Sequence, residues 1–240
     1  MIIADTAAPA EVHGVHGAAG VSWWKCFVRG PELTGAWEAV EWARLPPGGL
    51  SGEHLHTRTE EVYILLSGHG EIILNGHHTP VGPGDVVLTG LGTRHGLLNT
   101  GPEPLSWLVV ELLGPATAAV FGRGPAGRSE RNEAMTAAKV FHLGEPGEID
   151  PRSVLTGPLR RIARQRLAPG QADTVAADGR ELTYFVIDGS GTATSGSASA
   201  ELAPEVSLTL PLGAGATLTA GPDGLELYVL ELLVTEGNPA

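Results

Sequence analysis

The stretch GEHLHTRTEEVYILLSGHGE, residues 52–71, places three polar side chains just before an apolar run. His54 and His56 stand two residues apart, and Glu61 follows after a short turn. Because side chains two apart on a β-strand project from the same face, the two imidazoles are predicted to point together. A strand that only packs against a core needs none of these three groups, so the stretch indicates a site as well as a strand.

Around this stretch, short apolar runs separated by glycine, proline or asparagine predict an all-β protein. Glycine (34 residues) and proline (18 residues) are spread along the chain, which is typical of a barrel or sandwich. Asn75-Gly76 predicts a two-residue hairpin, since a type I′ turn needs positive φ at both central positions. The predicted strands between residues 21 and 113 are VSWWKCFV, WEAVEWARL, EEVYILLSG, GEIILNG, DVVLTG, HGLLN and LSWLVVELL.

The apolar runs of the second half repeat those of the first at a spacing close to 121 residues. The paired blocks are YILLSG from Tyr63 with YFVIDG from Tyr184, LPPG from Leu45 with LAPG from Leu167, and WLVVELL from Trp107 with LYVLELL from Leu227. Three blocks in the same order indicate a duplicated β-domain. The predicted division is an N-terminal arm (1–20), a first barrel (21–113), a linker with short helices (114–150) and a second barrel (151–240).

Composition and charge limit the partners that the chain can have. The net charge of −12 argues against a nucleic-acid-binding surface, which needs positive charge along the phosphate backbone. A single cysteine, Cys26, fits a reducing compartment. The sequence has no run of about 18 apolar residues, which a membrane-spanning helix would need. The N-terminus has no basic region of the kind that begins a signal peptide. We therefore expect a cytoplasmic protein that binds a small molecule, not nucleic acid or membrane, and that is a monomer or a homodimer.

A second polar pattern, downstream, provides the remaining partner for the histidine pair. His95 belongs to a later predicted strand, which a barrel would bring beside the first. Three neutral imidazoles and one carboxylate suit a divalent transition metal. The predicted ligands are therefore His54, His56, Glu61 and His95. Glu60 is the alternative carboxylate. Glu61 is favoured because Glu61 has the expected spacing to Gly68 and shares a strand face with Tyr63.

The spacing of these residues resembles the two signature motifs of the cupin superfamily. The motifs are Gly48-x5-His54-x-His56-x4-Glu61-x6-Gly68 and Gly84-x5-Gly90-x-Gly92-x2-His95-x3-Asn99. The resemblance covers residues 40–113 directly, and the repeat extends it to a bicupin; Gly90 stands where the second motif usually has proline. It implies two tandem jelly-roll barrels and one divalent ion such as Zn, Fe(II), Mn or Ni.

The second copy lacks the histidines. Val175, Ala176 or Ala177 fall near the places of the histidine pair, and Ala216 near that of His95. No histidine follows His142. We expect a second barrel without metal that covers the exposed sheet of the first barrel or shapes the mouth of its pocket.

The surroundings of the predicted metal suggest a flat, oxygen-bearing substrate. All five tryptophans lie in the metal-bearing half, and Tyr63 shares the inward face of Glu61. Arg58 stands at the inward spacing after His56, where it could meet an anionic oxygen, or else points to solvent. The candidate catalytic residues are therefore Glu61, Arg58 and Tyr63.

Three functions are compatible with this site. The stretches SWWKCF, GEHLHTRTEEVYILLSGHGE and LTGLGTRHGLLNTG resemble cupins of bacterial aromatic polyketide biosynthesis, which implies a cyclase or tailoring enzyme acting on a diketone or phenolic substrate. The same ligands could hold Fe(II) in a dioxygenase. A non-catalytic cupin that binds a small ligand is the third possibility.

Overall fold

The computed structural model describes residues 1–124, 137–144 and 147–234, and within these the chain is almost entirely β-structure. The strands of the first half are β1 (Ile2–Asp5), β2 (Ala10–His13), β3 (Val21–Arg29), β4 (Trp37–Leu45), β5 (Leu50–Leu55), β6 (Thr59–Ser67), β7 (Gly70–Leu74), β8 (His77–Val81), β9 (Asp85–Thr89), β10 (Arg94–Asn99) and β11 (Leu105–Leu113). The other strands are β12 (Ala138–His142), β13 (Gly147–Ile149), β14 (Leu159–Leu167), β15 (Ala172–Ala176), β16 (Arg180–Ser195), β17 (Ala198–Leu202), β18 (Val206–Leu210) and β19 (Gly215–Leu233). One α-helix, α1 (Pro115–Val120), follows β11. Single 3-10 turns occupy Val15–Gly17, Gly30–Glu32 and Pro151–Ser153. The predicted all-β class is confirmed.

The first barrel is a jelly roll of two antiparallel sheets. Seven strands pair in the order β12-β9-β6-β11-β4-β3-β2, and four pair as β5-β10-β7-β8. Asn75 and Gly76 have φ of 49° and 79°, as the predicted hairpin between β7 and β8 requires. Apolar side chains that alternate inward along these strands fill most of the interior, including Leu45, Leu65, Ile72, Leu97 and Leu105.

The second barrel repeats this topology with longer strands. Its strands and β1 together form one eight-stranded sheet, because β16 and β19 each run through the positions that two strands occupy in the first barrel. The strand register supports the duplication. Leu182 pairs with Leu210 in the second barrel, and the residues 121 positions earlier, Glu61 and Thr89, pair in the first. The two predicted barrels are therefore both present, and the fold is that of a bicupin.

The segments that precede the two barrels exchange places. β1 pairs with β18 of the second barrel, and β12 pairs with β9 of the first. The sequence predicted neither strand, because both are short and have a single neighbouring strand to pack on. The predicted linker thus contains one helix and two strands among its described residues; 125–136, 145 and 146 lie outside them. The division into four segments remains a proposal based on chain order.

The second barrel packs on the large sheet of the first, which is one of the two roles that the sequence left open. One buried cluster is built from both halves, and Trp37, Ile64 and Leu108 pack with Leu159, Ile162 and Leu230. Burial of such apolar surface contributes roughly 25 cal/mol per Å². The face that an isolated cupin barrel would expose is therefore a core within this chain.

Two buried carboxylates connect the barrels reciprocally. Glu60 of β6 accepts hydrogen bonds of 2.8–3.1 Å from the Thr156 amide and hydroxyl and from the Gly157 amide. Glu181, 121 positions later on β16, accepts bonds of 2.9 Å from Thr34 N, Gly35 N and Trp37 Nε1, and one of 3.2 Å from Leu212 N. Each glutamate thus binds the loop that precedes an equivalent strand of the other barrel, β14 for Glu60 and β4 for Glu181. This role explains why Glu61, and not Glu60, is available to the site.

Among the described residues, no helix is both long enough and apolar enough to cross a membrane. A cytoplasmic location remains a prediction from the sequence.

Candidate metal centre

The four predicted ligands converge inside the first barrel. His54 lies near the end of β5 and is directly opposite His95 of β10 in the register of the small sheet. Glu61 enters from β6 in the large sheet. Their donor atoms, together with one from His56, all lie within 4.8 Å of one another.

His56 reaches the site by a different route from the one predicted. It lies just beyond the end of β5, so strand alternation does not set its direction. Its amide donates to Thr93 O at 3.1 Å, and its carbonyl accepts from Gly92 N at 2.7 Å. The glycine-containing turn before His95 therefore fixes His56, which explains physically why the two sequence motifs occur together.

The donor separations match those around a single ion. His56 Nε2 lies 2.9 Å from His54 Nε2 and 3.1 Å from His95 Nε2. Glu61 oxygens lie 3.3 Å from His56 Nε2 and 2.9 Å from His95 Nε2. Two donors each about 2.1 Å from one ion and at right angles about it are about 3 Å apart. The four side chains thus fit a divalent transition metal.

The outer nitrogens of the three rings are held by neighbouring groups. His54 Nδ1 lies 3.1 Å from Gly52 O, His56 Nδ1 3.0 Å from Thr59 Oγ1, and His95 Nδ1 2.9 Å from Thr89 Oγ1. A carbonyl can only accept, so His54 carries its proton on Nδ1, and both threonine hydroxyls can accept in the same way. The Nε2 lone pairs then face each other and Glu61 Oε2, which is buried without a hydrogen-bond partner. Such a cluster of lone pairs is stabilised by a cation.

Burial shifts the ionisation of the site in two directions. It lowers the pKa of His54 and His95 to about 4 and that of His56 to about 3, so the imidazoles stay neutral. It raises the pKa of Glu61 to about 8, because a buried carboxylate lacks solvation. A metal ligand must be deprotonated, and these three imidazoles already are at neutral pH.

Two further carboxyl groups lie close to the site, and the sequence analysis missed both. Glu111 of β11 stands directly opposite Glu61 in the antiparallel register of the large sheet. Glu41 of β4 accepts a 2.8 Å hydrogen bond from Trp24 Nε1. Burial raises the pKa of Glu111 to about 8 and that of Glu41 to about 7. For Glu111 the available signal was a single charged residue in the run LSWLVVELL, whereas Glu41 shares its strand with Glu38 and Arg44 and gave no such signal.

These carboxyl groups give a pH dependence to the stability of the metal-free protein. Their folded-state pKa values exceed the ordinary value of 4.5, so the stability they contribute is complete below pH 4.5 and is lost as pH rises through 7–8. The buried histidines have lowered pKa values, so the stability that they contribute is lost as pH falls, but only below about pH 6.5. We expect the Tm of chelator-treated protein to fall between pH 6.5 and 8.5. Calorimetry on wild type and on the double variant Glu41→Gln, Glu111→Gln measures this, and the variant should show a flatter slope.

Glu148→Gln is the matched control, since Glu148 is an exposed carboxylate paired with Arg161. It should keep the wild-type slope. A wild-type Tm that rises across the same pH window would contradict the assignment of buried, protonated carboxyl groups.

A cavity of about 390 Å³ opens beside the candidate ligands. Its wall is formed by Val12, Val15, His16, Ser22, Trp24, Glu41, Ala43, Ser51, Glu61, Tyr63, Trp107, Val109 and Glu111. Of the five tryptophans, Trp24 and Trp107 line the cavity, whereas Trp37 and Trp42 lie in the core between the barrels. The cavity is therefore largely aromatic and aliphatic, with carboxyl groups at a few points.

The N-terminal segment forms part of this cavity, which the sequence analysis did not anticipate. The His16 ring stacks on the His54 ring with centroids 3.5 Å apart and planes 11° apart. A Cβ at Gly52 would lie 2.4 Å from His16 O, so only glycine permits this approach. The short 3-10 turn around His16 carries no periodic sequence signal, because its position depends on contact with β5.

The other two candidate catalytic residues differ in position. Tyr63 is buried on the cavity wall, with its ring centroid 4.8 Å from that of His95. Burial, and then the charge of Glu61, raise the pKa of the Tyr63 hydroxyl well above its ordinary value. Arg58 is exposed in the turn between β5 and β6, outside the cavity wall. Catalytic roles for Glu61, Arg58 and Tyr63 remain predictions.

The second barrel has replaced the site by a hydrophobic core. In its register Val175 pairs with Ala216, as His54 pairs with His95 in the first barrel. Ala177 and Leu182 occupy the places of His56 and Glu61, and both are buried among apolar neighbours. Among the described residues, the only cluster of candidate ligands is that of the first barrel.

Comparison with known proteins defines the class. Residues 41–111 match the Cupin_2 family, described as a cupin domain. The first barrel is therefore a cupin domain, and the chain has the two-barrel cupin fold that its motifs predicted.

Individual relatives are similar over different parts of the chain. A curated oxalate-binding protein of Thermotoga maritima is 40% identical over 70 residues, which is 29% of this chain and 58% of that protein. The Escherichia coli pirin YhhW, solved with nickel(II), has a TM-score of 0.68 at 16% identity and covers 98% of this chain and 100% of that one. Salicylate 1,2-dioxygenase of Pseudaminobacter salicylatoxidans has a TM-score of 0.59 at 15% identity, and the match covers 80% of this chain and 70% of that one. At these identities the two structures establish the fold alone.

Proposed function

We propose that the protein is a metal-dependent enzyme acting on a small aromatic or polyketide-like substrate that carries a diketone or phenolic oxygen pair. The observation that supports this most is the convergence of three imidazole lone pairs and an unpartnered carboxylate oxygen beside an aromatic cavity. A divalent cation bound there would act as a Lewis acid on a chelating substrate and lower the free energy of its enolate or phenolate.

The side chains of the cavity would orient such a substrate. Trp24, Tyr63 and Trp107 offer flat apolar surfaces to a planar molecule, with Tyr63 and Trp107 ring centroids 5.7 Å apart. Val12, Val15 and His16 cover the cavity from the N-terminal side and would exclude water. Among the wall carboxyl groups, Glu41 has a pKa raised to about 7 by burial, so it can be ionised near neutral pH and accept a proton from the bound substrate.

Cyclisation or a related tailoring step is the reaction we propose first, and oxygenation is the alternative. A dioxygenase is favoured by the ligand set, because histidine and carboxylate donors also suit Fe(II), and salicylate 1,2-dioxygenase shares the fold. A binding role is favoured by the relative named for binding oxalate. Cyclisation is not among the activities named for the relatives described above.

The test uses purified protein loaded separately with Fe(II), Mn(II), Ni(II) and Zn(II) and incubated with aromatic diketones. We expect many substrate molecules to be converted per metal ion. Conversion that continues without O2 supports cyclisation, and stoichiometric O2 uptake supports oxygenation. Tight binding without turnover with every metal and substrate would refute an enzymatic role.

The proposed setting is a monomer in a reducing, cytoplasmic compartment. The sheet face that cupin barrels would use for pairing is already buried between the two halves. A chain whose single cysteine is Cys26 needs no oxidising compartment for an internal disulfide.

A further inference from the structure

The metal centre is least shielded from solvent at one of its four candidate ligands. His56, Glu61 and His95 are buried, each with 6% or less of its surface exposed, whereas His54 is only partly buried. The side of the cluster that the His54 ring forms is therefore the side on which water comes closest to the ligands. The group that covers this ring decides how well the centre is closed.

A turn of the N-terminal segment covers the His54 ring. This covering turn, residues 14–20, connects β2 to β3. The ring of His16 lies parallel to that of His54, with centroids 3.5 Å apart and planes 11° apart. His16 is itself exposed and lines the cavity beside the candidate ligands, but it is not a member of their cluster. Its imidazole therefore stands between His54 and solvent as a cover, not as a fifth ligand.

The backbone of the covering turn holds this ring in place. His16 has φ of 52° and ψ of 35°, in the left-handed region where histidine, asparagine and aspartate are the side chains most enriched after glycine. Gly14 N donates to Gly20 O at 3.2 Å and Gly17 N donates to Gly14 O at 3.0 Å, so these bonds close the turn on itself. Its contact with β5 is made by packing, through the ring stack and the close approach of His16 O to Gly52.

Resting on the metal centre of the function proposed above, we infer that His16 is a positioning residue of that centre, whose ring holds the plane of the His54 imidazole and shields this ligand from water. A single hydrogen bond at His54 Nδ1, to Gly52 O at 3.1 Å, still allows the ring to tilt, and the stacked His16 ring opposes that tilt. This role requires neither contact of His16 with the ion nor a change in its charge. The wild-type protein should therefore release its ion slowly.

The first test measures how fast the cobalt(II)-loaded protein releases the ion to excess EDTA, followed by the cobalt absorption band. His16→Asn removes the ring but keeps a residue that tolerates the left-handed backbone, and it should speed release about tenfold, the lower end of the effect of groups that orient a ligand. His16→Phe keeps a flat ring for stacking and should stay within about twofold of wild type. His13→Asn is the matched control, because His13 is an exposed histidine of β2 outside the cavity wall, and it should release cobalt at the wild-type rate.

The second test identifies the ligand that is affected. In the cobalt(II) protein, the Nδ1 protons of the three ligating imidazoles are expected as paramagnetically shifted NMR signals that exchange with water. His16→Asn should speed the exchange of one signal, that of His54, and leave the signals of the buried His56 and His95 unchanged. A general loss of stability would affect all three signals, so this measurement separates positioning from a merely structural role.

The outcomes separate this inference from the function on which it rests. Each variant is first checked by thermal unfolding, and His16→Gly, which suits the same backbone angles, carries the test if His16→Asn folds poorly. Release from the ringless variant at the wild-type rate, release from His16→Phe as fast as from the ringless variant, or an equal change in all three proton signals would overturn the inference and leave the proposed metal-dependent function standing. Failure of the wild type to bind cobalt at all would refute the proposed function, and the inference with it.

Discussion

Replacing His54 or His95 by alanine is expected to remove the metal and, with it, any activity. Each substitution deletes one of four converging donors and leaves the other lone pairs facing a gap. Loss of a group that merely orients a ligand lowers metal affinity about 10- to 100-fold, so loss of a ligand should lower it at least about 100-fold. The measurement is metal content per chain by elemental analysis after dialysis against a weak chelator.

His78→Ala is the matched control for this experiment. His78 is an exposed imidazole that pairs with Glu71 on the surface of the small sheet. It lies outside the cluster of candidate ligands, so its removal should leave metal content unchanged. Full metal retention by His95→Ala would exclude that residue from the site.

Replacing Glu181 by alanine should cause the largest loss of stability. Its carboxylate is fully buried and accepts four hydrogen bonds, two from the loop before β4 of the other barrel and one from Trp37 at the start of β4. Removal leaves these donors buried without an acceptor, which is expected to lower the free energy of unfolding by about 3–5 kcal/mol. Denaturant unfolding followed by tryptophan fluorescence measures the change.

Two comparisons define what this result would mean. Glu60→Ala removes the reciprocal contact and should cause a loss of similar size. Glu148→Ala removes an exposed ion pair with Arg161 and should change the free energy by less than about 1 kcal/mol. If Glu181→Ala were as mild as Glu148→Ala, the carboxylate would not be holding the barrels together.

The strands and the candidate ligands could be predicted from local sequence because their signals are local. The WEAVEWARL and LSWLVVELL runs match β4 and β11 residue for residue, since apolar runs bounded by turn residues define buried strands. The duplication was visible because both copies keep their turns. Histidine and glutamate at motif spacing identified all four residues that the structure brings together.

The remaining features depend on contacts between distant parts of the chain. The exchanged strands β1 and β12 are specified by the edges they pair with, not by their own residues. His16 reaches the site only because Gly52 lets the chain approach closely. Glu41 and Glu111 line the cavity because of barrel closure, and Glu60 and Glu181 could be assigned only once the barrels were seen together.

The central claim is that one cation is held in the first barrel by four side chains. Anomalous diffraction from crystals of the purified protein, at the absorption edge of the metal found by elemental analysis, tests it directly. One peak per chain is predicted, between the Nε2 atoms of His54, His56 and His95 and the carboxylate of Glu61. Absence of a peak there, with the imidazoles turned toward different sides of the barrel, would contradict the account.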